Sequence, residues 1–244
     1  MRIIGIFSNK GGVGKTFLSI NLSSALAMLK NYVTLIDASF GNPNVSIALG
    51  IYNQNSIIDA ITQNKKIREC IYYSPYGFKI LPGSLNIYDS IKSFNFEYLF
   101  NYFADDFLII DTESGFDERN LKILNACNEI ILVTLPEFPS IFETLKLLEI
   151  TKNKKILAIV VNRVRNKKEI EKVKKYLEFD NLIFLPEDKR VREMYEKKVP
   201  FVNLYPNSIL SCQILNFASL ISGNTITFKP SLEERIKSFF GFYK

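Results

Sequence analysis

The stretch SNKGGVGKT, which runs from Ser8 to Thr16, decides the fold of this chain. It follows the apolar run MRIIGIF (Met1–Phe7), which has the length and composition of a buried strand, and leads into a segment of helical periodicity. A glycine-rich turn between a strand and a helix can wrap its backbone N–H groups around phosphates. The stretch fits the pattern G-x-x-x-x-G-K-[ST], except that Asn9 replaces the first glycine, and asparagine tolerates a left-handed backbone better than most residues. The sequence therefore predicts a nucleotide site, in which Lys15 bridges the β- and γ-phosphates and the Thr16 hydroxyl ligates Mg²⁺.

The composition limits the chemistry that the chain can perform. Its 244 residues include 47% hydrophobic and 23% charged side chains, which suits one large α/β domain with a well-buried core. It has no histidine, and its cysteines, Cys70, Cys127 and Cys212, lie far apart without a CxxC pair. We therefore expect no zinc or iron–sulfur site within one subunit, and catalysis through lysines, carboxylates, backbone amides and a hard metal ion. The apolar run before Ser8 is too short for a signal peptide or a membrane span, so we expect a cytoplasmic location.

Short aliphatic runs alternate with helix-length segments along the chain. Most of the runs lack polar alternation, which is typical of strands buried on both faces of a parallel sheet. The predicted strands are Arg2–Phe7, Val33–Ile36, Phe78–Leu81, Phe107–Ile110, Ile130–Thr134, Ile156–Val161 and Leu182–Leu185. The predicted helices are Lys15–Leu29, Phe96–Phe103, Glu118–Cys127, Ile141–Thr151, Lys167–Leu177, Val191–Lys197 and Ile209–Ile221. This alternation predicts a doubly wound, mainly parallel α/β sheet with helices on both faces and ligands at the carboxyl ends of the strands.

The string KGGVGKT resembles the deviant phosphate loop of the MinD/ParA family of P-loop ATPases, in which an extra lysine precedes the usual one. Further stretches resemble this family in its own order: VTLIDASFGNPNVSIALG, GFKILPGS, FLIIDTESGFDERNLKILNACNEIILVTLPEFPSI, IVVNRV and LPEDKRVREMYEKKVPFVNLYPNSI. The resemblance covers nearly the whole globular part and is greatest to MinD-like proteins. It implies a P-loop NTPase fold, ATP and Mg²⁺ as ligands, and an ATP-bound homodimer in which Lys10 touches the nucleotide of the other subunit.

The resemblance also implies roles for individual residues. Asp37 and the Walker B aspartate Asp111 would hold Mg²⁺ through water, and a carboxylate that ends a hydrophobic strand needs such a cation. The amide of Gly115 would sense the γ-phosphate. The amide side chain of Asn162 would read adenine, and Pro186, Glu187 and Asp188 would flank the base. The expected ATP-binding residues are Lys10, Gly11, Gly12, Val13, Gly14, Lys15, Thr16, Phe17, Gly115, Asn162, Pro186, Glu187 and Asp188. The expected catalytic residues are Lys10, Lys15, Asp37, Ser39, Asp111 and Glu113.

Three positions depart from the MinD-like pattern. Ser39 stands where these proteins usually have a second aspartate that helps to place the attacking water, and an uncharged serine is a weak base. Glu113 stands where a small residue or proline is usual, and it is a candidate for the missing carboxylate. Phe17 replaces a common threonine, so only its backbone amide can serve the α-phosphate. These changes predict ATP binding with hydrolysis that is slow or dependent on a partner.

The end of the chain has a pattern of its own. We expect the ATPase domain to span residues 1–222, a polar linker to span 223–230 and an amphipathic helix to span 231–244. Ser231 and Glu234 form a capping-box signal. The apolar stripe of this helix comprises Leu232, Ile236, Phe239, Phe240 and Tyr243.

MinD proteins end in a similar membrane-targeting helix, so the resemblance implies peripheral binding to the anionic inner face of the cell membrane. Two tails on an ATP-bound dimer would bind much better than one. The alternative is a terminal helix docked on its own domain, and the acidic Glu233 and Glu234 are unusual in a membrane-seeking helix.

Other functions remain open at this stage. A ParA-like switch would bind DNA nonspecifically through the basic stretch at 163–175. The alternative without a function in binding is that this stretch is a solvated helix face. Iron–sulfur and metallochaperone relatives usually need paired cysteines, which this chain lacks. A small-molecule kinase would need an acceptor-binding motif, and none is visible. The sequence does not identify the protein activator or cargo that a MinD-like protein would position.

Overall fold

The computed structural model describes residues 1–52, 55–62, 64–85 and 94–239, with side chains through residue 236. Within these residues, eight strands form one sheet in the order β3-β4-β2-β5-β1-β6-β7-β8. All neighbouring strands are parallel except β3 and β4, which are antiparallel. The strands are β1 (Arg2–Phe7), β2 (Val33–Ala38), β3 (Tyr72–Tyr73), β4 (Lys79–Leu81), β5 (Phe107–Thr112), β6 (Glu129–Thr134), β7 (Lys155–Val164) and β8 (Leu182–Pro186).

Helices cover both faces of this sheet. They are α1 (Lys15–Met28), α2 (Asn44–Leu49), α3 (Ile57–Ile61), α4 (Phe96–Phe100), α5 (Glu118–Ala126), α6 (Phe138–Ile150), α7 (Lys167–Tyr176), α8 (Val191–Lys197), α9 (Phe201–Leu204), α10 (Ile209–Ser222) and α11 (Leu232–Phe239). Helices α1, α2, α8, α9 and α10 contribute to one buried apolar cluster, and α3 to α7 contribute to the other. The predicted doubly wound α/β fold is therefore confirmed.

The central strands bury both of their faces. In β1, Ile4 and Ile6 belong to the cluster under α1, whereas Ile3 and Phe7 belong to the cluster on the opposite face. This division follows from the alternation of side chains along a strand. Because neither face meets water, the strand needs no polar alternation, and its sequence is a continuous apolar run.

The structure adds elements that the sequence did not predict. Strand β3 is only two residues long and pairs with β4 through a hairpin, in which the left-handed Gly77 (φ 87°) closes the turn. Helices α2, α3 and α9 have four to six residues each, too few to show a helical periodicity. Strand β7 extends beyond its predicted end at Val161 as far as Val164.

The order of the strands determines where a ligand can bind. Strand β1 lies between β5 and β6. Strands β2 to β5 lie on one side of it and β6 to β8 on the other, so the strand order reverses its direction at β1. In an open parallel sheet, a crevice forms at such a switch point, at the carboxyl ends of the strands. The loop that follows β1 lies there.

The segment before the terminal helix is tied to the domain. The Phe228 N–H donates to Oδ1 of Asn216 at 2.7 Å, and the Phe228 carbonyl accepts from Nδ2 of the same residue at 3.1 Å. The Ser231 N–H donates to the Asn207 carbonyl at 3.2 Å, and Ser231 Oγ accepts from the Glu234 N–H at 3.2 Å. One of the two bonds of the predicted capping box thus forms, whereas the Ser231 N–H and the Glu234 carboxylate have other partners.

Helix α11 ends at Phe239 in the described part of the chain. Phe240 and Tyr243 of the predicted apolar stripe lie outside the described residues, as does the side chain of Phe239. The division into residues 1–222, 223–230 and 231–244 therefore remains a prediction. Among the described residues, no helix is both long and apolar enough to cross a membrane.

Candidate nucleotide site

The phosphate loop joins β1 to the first turn of α1 through left-handed glycines. Gly12 has φ 72°, and Gly14, which precedes the first helical residue, has φ 102°. A Cβ at Gly14 would overlap Nδ2 of Asn162, whereas a Cβ at Gly12 would meet no atom within 4 Å. Gly14 is thus required for its backbone and for the close approach of a neighbour. The loop presents the positive end of the α1 dipole to the crevice.

Lys15 supplies the cation at the base of the crevice. It is buried, and its Nζ donates to Ser114 Oγ at 2.8 Å. Burial lowers the pKa of Lys15, while the negative charges of Asp111 and Glu113 oppose this effect. The side chain therefore holds a largely desolvated ammonium where a phosphate can pair with it.

Two carboxylates lie side by side beneath the loop. The parallel register of β2 and β5 places Asp37 opposite Asp111, and both are fully buried. Burial raises the pKa of Asp37, and the charge of Asp111 raises it further; burial also raises the pKa of Asp111. Asp37 accepts from the N–H groups of Ser39 and Val45, each at 3.0 Å. Such a pair favours a nearby cation, because like charges at desolvated positions repel each other strongly.

Hydroxyl groups surround Asp111. Its Oδ2 accepts from Thr16 Oγ1 at 2.7 Å, and its Oδ1 accepts from Ser19 Oγ at 2.9 Å. One hydroxyl and two carboxylates fit Mg²⁺, which usually keeps several waters and takes few protein ligands alongside phosphates. Among the described residues, no group of three or more His, Cys, Asp or Glu side chains could hold a metal by itself.

Glu113 links the two segments that follow β2 and β5. Its Oε1 accepts from the Phe40 N–H at 2.7 Å, and its Oε2 lies 3.5 Å from Nη2 of Arg119. Burial raises the pKa of Glu113, and the charge of Arg119 opposes this. Glu113 lines the cavity in front of the phosphate loop. The Ser39 side chain is buried and does not line this cavity.

The crevice contains two adjoining cavities. The larger has a volume of about 690 Å³, within the range of sites for small molecules. It is lined by Gly11, Gly12, Gly14, Lys15, Thr16, Phe17, Asn42, Asn44, Ile47, Ala48, Thr112, Glu113, Ser114, Arg163 and Tyr195. The smaller, about 170 Å³, is lined by Gly14, Phe17, Asn162, Arg163, Pro186, Glu187, Asp188, Lys189, Val191, Tyr195 and Leu210. The residues predicted for adenine thus all line the smaller cavity, which we call the base-side cavity, beside the predicted phosphate site.

The Asn162 side chain and the Gly115 N–H, which are predicted to contact the nucleotide, donate to backbone carbonyls of the protein. Asn162 Nδ2 donates to the Val13 carbonyl at 2.8 Å, so this side chain supports the phosphate loop from the base side. The Gly115 N–H donates to the Ser8 carbonyl at 3.1 Å. The predicted roles of Asn162 at adenine and of Gly115 at the γ-phosphate remain predictions.

The first lysine of the loop points away from the crevice. Lys10 Nζ lies 3.3 Å from Oε2 of Glu137 and 3.2 Å from Oγ of Ser140, and Lys10 does not line either cavity. Asn9 is also turned toward α6, where its Nδ2 donates to Glu143 Oε2. The Lys10 and Lys15 ammonium groups therefore have different partners and do not meet in the single subunit.

Sequence reasoning missed several residues that line or support the site, four of which make notable contacts. Ser114 pairs with Lys15, Ser19 pairs with Asp111, and Arg163 and Tyr195 line both cavities. Ser114 and Arg163 directly follow Glu113 and Asn162, so their positions offered a signal. Arg163 also has a left-handed backbone (φ 56°), which is uncommon outside glycine and is often found at functional sites. Ser19 lies one turn beyond the phosphate loop on α1, but its partner Asp111 is 92 positions away, and Tyr195 comes from α8, so no local pattern indicated either contact.

A glycine loop at a helix N-terminus, a buried lysine and a hydroxyl beside a strand-end carboxylate define a P-loop nucleotide-binding protein. Residues 4–201 match the family described as the CobQ/CobB/MinD/ParA nucleotide binding domain. The chain belongs to this family.

Similar proteins span nearly the same length. An uncharacterized ATP-binding protein of Methanocaldococcus jannaschii is 30% identical over 97% of this chain and 92% of its own. The septum site-determining protein MinD of Bacillus subtilis is 27% identical over 98% of this chain and 97% of its own. The structure of MinD complexed with Mg-ADP from Pyrococcus horikoshii superposes with a TM-score of 0.80, at 27% identity, over 90% of this chain and 95% of that one.

Replacement of Gly14 by alanine tests the close packing of the loop against Asn162. We expect Gly14→Ala to lower the free energy of unfolding by at least about 1 kcal/mol more than Gly12→Ala, since both strain a left-handed backbone but only the former displaces the Asn162 amide. The measurement is urea unfolding without nucleotide. In the Asn162→Ala background this excess should shrink, because the two side chains no longer compete for one space. Equal costs at Gly12 and Gly14 in the parent would contradict this account.

Proposed function

We propose that this protein is a MinD-like ATPase that dimerises with ATP and binds the cytoplasmic membrane surface through α11 to position partner proteins. The observation that carries the proposal is the orientation of α11. Leu232 is 70% exposed and Ile236 is 50% exposed, so the described apolar edge of the helix faces outward and is not packed on the domain. The name of the septum site-determining relatives supports a role in spatial organisation.

The geometry of the crevice supports ATP with Mg²⁺ as the ligand. Lys15 would pair with the phosphates, Thr16 would ligate Mg²⁺ directly, and Asp37 and Asp111 would hold its waters. When bound, Mg²⁺ neutralises phosphate charge during transfer. It would also relieve the repulsion between the two buried carboxylates.

The direction of Lys10 supports an ATP-dependent homodimer. A lysine that served the nucleotide of its own subunit would line the crevice beside Lys15. Lys10 instead lies against Glu137 and Ser140 at the start of α6, with 39% of its side chain exposed. This weak surface pair can be exchanged for a phosphate of a second subunit at little cost.

The position of Glu113 supports a role in placing the attacking water. It lines the phosphate cavity, whereas Ser39 is buried and does not line it. Its hydrogen bond to the Phe40 N–H holds one carboxylate oxygen between the two segments that would meet the γ-phosphate. We therefore assign the function of the missing aspartate to Glu113, with hydrolysis that is slow until a partner completes the site.

The basic stretch favours DNA binding less than its charge suggests. Lys172 lies 6.0 Å from the ring centre of Phe138, and Lys174 lies 5.9 Å from that of Phe184, so both lie against aromatic rings of the domain. We keep nonspecific DNA binding as the competing outcome of the membrane experiment.

Replacement of Lys10 tests the dimer. Lys10→Ala should leave nucleotide affinity unchanged within about twofold, because Lys15 remains, but it should abolish ATP-dependent dimerisation in analytical ultracentrifugation. Lys152→Ala is the matched control. This exposed lysine lies just before β7, at the amino ends of the strands, and the variant should dimerise as the parent does. A Lys10→Ala protein that still dimerises with ATP would refute the assignment.

Replacement of Glu113 tests the water-placing role. Glu113→Gln keeps an oxygen for the Phe40 N–H but loses the charge, so ATP hydrolysis should fall at least about tenfold in single-turnover measurements. Glu118→Gln on α5 is the control. Parental hydrolysis by Glu113→Gln would exclude this role.

Sedimentation with phosphatidylglycerol vesicles tests the membrane role. The full chain should bind in ATP and much less in ADP. Leu232→Ser with Ile236→Ser should weaken binding at least about tenfold, because two exposed aliphatic side chains no longer enter the interface. Leu121→Ser with Leu220→Ser, which alters exposed leucines away from α11, is the control.

A parallel arm measures binding to duplex DNA. Charge reversal at Lys167, Lys168, Lys172 and Lys174 should leave vesicle binding intact. If vesicles are not bound, and DNA binding depends steeply on salt and is lost on this reversal, the ParA-like function replaces the membrane function.

A further inference from the structure

Arg190 lies between two carboxylates that belong to different parts of the protein. On one side, its Nε and Nη2 donate to Asp188 at 3.0 and 2.7 Å. On the other side, its Nη1 and Nη2 donate to Glu234 at 2.9 and 3.1 Å. The side chains of Arg190, Asp188 and Glu234 are 15%, 6% and 15% exposed, so the group is largely shielded from water. Nη2 serves both carboxylates, which makes the three side chains one unit.

Asp188 forms part of the wall of the base-side cavity. It lies in the turn between β8 and α8, together with Pro186 and Glu187. Its Oδ1 also accepts from the Arg190 N–H at 2.9 Å, and its carbonyl accepts from the Val191 N–H at 3.1 Å. The position of the Arg190 guanidinium is therefore fixed by the same turn that shapes the cavity.

Glu234 lies in the first turn of α11, on the side opposite its exposed apolar edge. At 100° per residue, Leu232 and Ile236 lie close together, and Glu234 lies across the helix from both. The contact with Arg190 thus draws the acidic side of α11 onto the domain and leaves Leu232 and Ile236 facing outward. The carboxylate that looked unsuited to a membrane helix is directed away from the surface that would meet lipid.

The Arg190 guanidinium also lies against an aromatic ring of the domain. It lies 4.6 Å from the ring centre of Tyr205, whose ring packs against that of Phe201 at 5.2 Å. Phe201 is fully buried in the apolar cluster under α1. The clamp formed by Asp188, Arg190 and Glu234 is thereby anchored on the domain core, and not on a loop alone.

We propose that Arg190 couples occupancy of the base-side cavity to the seating of α11 on the domain. The inference rests on the proposed nucleotide site and concerns how that site regulates the tail. A base against the Asp188 wall orders the turn from Pro186 to Arg190, and a guanidinium held in place costs less entropy to dock against Glu234. By linkage, a seated α11 must favour nucleotide binding by the same factor. Nucleotide binding then holds the apolar edge of α11 outward.

The test uses full-length protein in solution, without lipid. ADP with Mg²⁺ should slow amide hydrogen exchange in α11, whereas inorganic pyrophosphate with Mg²⁺, which fills only the phosphate end, should not. Glu234→Gln leaves the Asp188 contact in place and should weaken ADP binding about three- to tenfold in calorimetry, with pyrophosphate binding unchanged. Glu233→Gln, an exposed site on the same helix, is the charge-matched control and should bind ADP as the parent does.

The outcomes separate this inference from the proposed function. If ADP binds but protects α11 no more than pyrophosphate does, and Glu234→Gln binds ADP with parental affinity, the coupling is refuted while the nucleotide site stands. If ADP does not bind to the parent, the proposed function fails first. If the coupling is present but vesicles are not bound, α11 is a nucleotide-controlled surface whose partner is not a membrane.

Discussion

The buried pair of Asp37 and Asp111 is the constraint on which the rest of the site depends. Parallel pairing of β2 and β5 places the two carboxylates opposite each other in the middle of the sheet, with no access to water. Two such charges are stable together only with compensating donors and cations. The fold supplies backbone amides to Asp37 and hydroxyls to Asp111. It also supplies one lysine, Lys15, which donates a hydrogen bond to Ser114. The remaining negative charge is what a hydrated Mg²⁺ would neutralise.

This constraint explains why position 39 can lack a carboxylate while position 113 carries one. An aspartate at Ser39 would place a third buried charge within the same desolvated pocket. Glu113 instead reaches from the end of β5 toward the segment after β2, where its carboxylate is half-buried beside Arg119 and the Phe40 N–H. A longer side chain with its own cation costs less here than an aspartate buried at position 39. The proposed water-placing carboxylate would thus not add to the repulsion.

The sequence predicted the parts of the protein that depend on local patterns. The turn around Gly14 follows from a strand, a glycine-rich stretch and a helix in succession, and the buried strands follow from continuous apolar runs. The bond from Asn162 to Val13 and the pair of Lys15 with Ser114 join residues 149 and 99 positions apart, and no local pattern encodes such partners. The two-residue β3 exists only because β4 offers it an edge. Family resemblance selected many positions that line the two cavities, but it did not indicate that Lys10 would face Glu137 in the single subunit.

The acidic residues of the tail show how local and long-range reasoning can disagree. A helix for an anionic surface should carry few carboxylates, so Glu233 and Glu234 by themselves argue against a membrane role. Once Arg190 is placed beside Glu234, the same charge becomes the device that orients the helix, because an ion pair shielded from water sets a direction that an apolar stripe cannot set by itself. A single short helix binds lipid weakly, so its orientation and its number both matter. A dimer joined by nucleotide would double the number, and the Asp188–Arg190–Glu234 clamp would fix the orientation. The number of helices that meet the membrane and their orientation would then both depend on bound nucleotide.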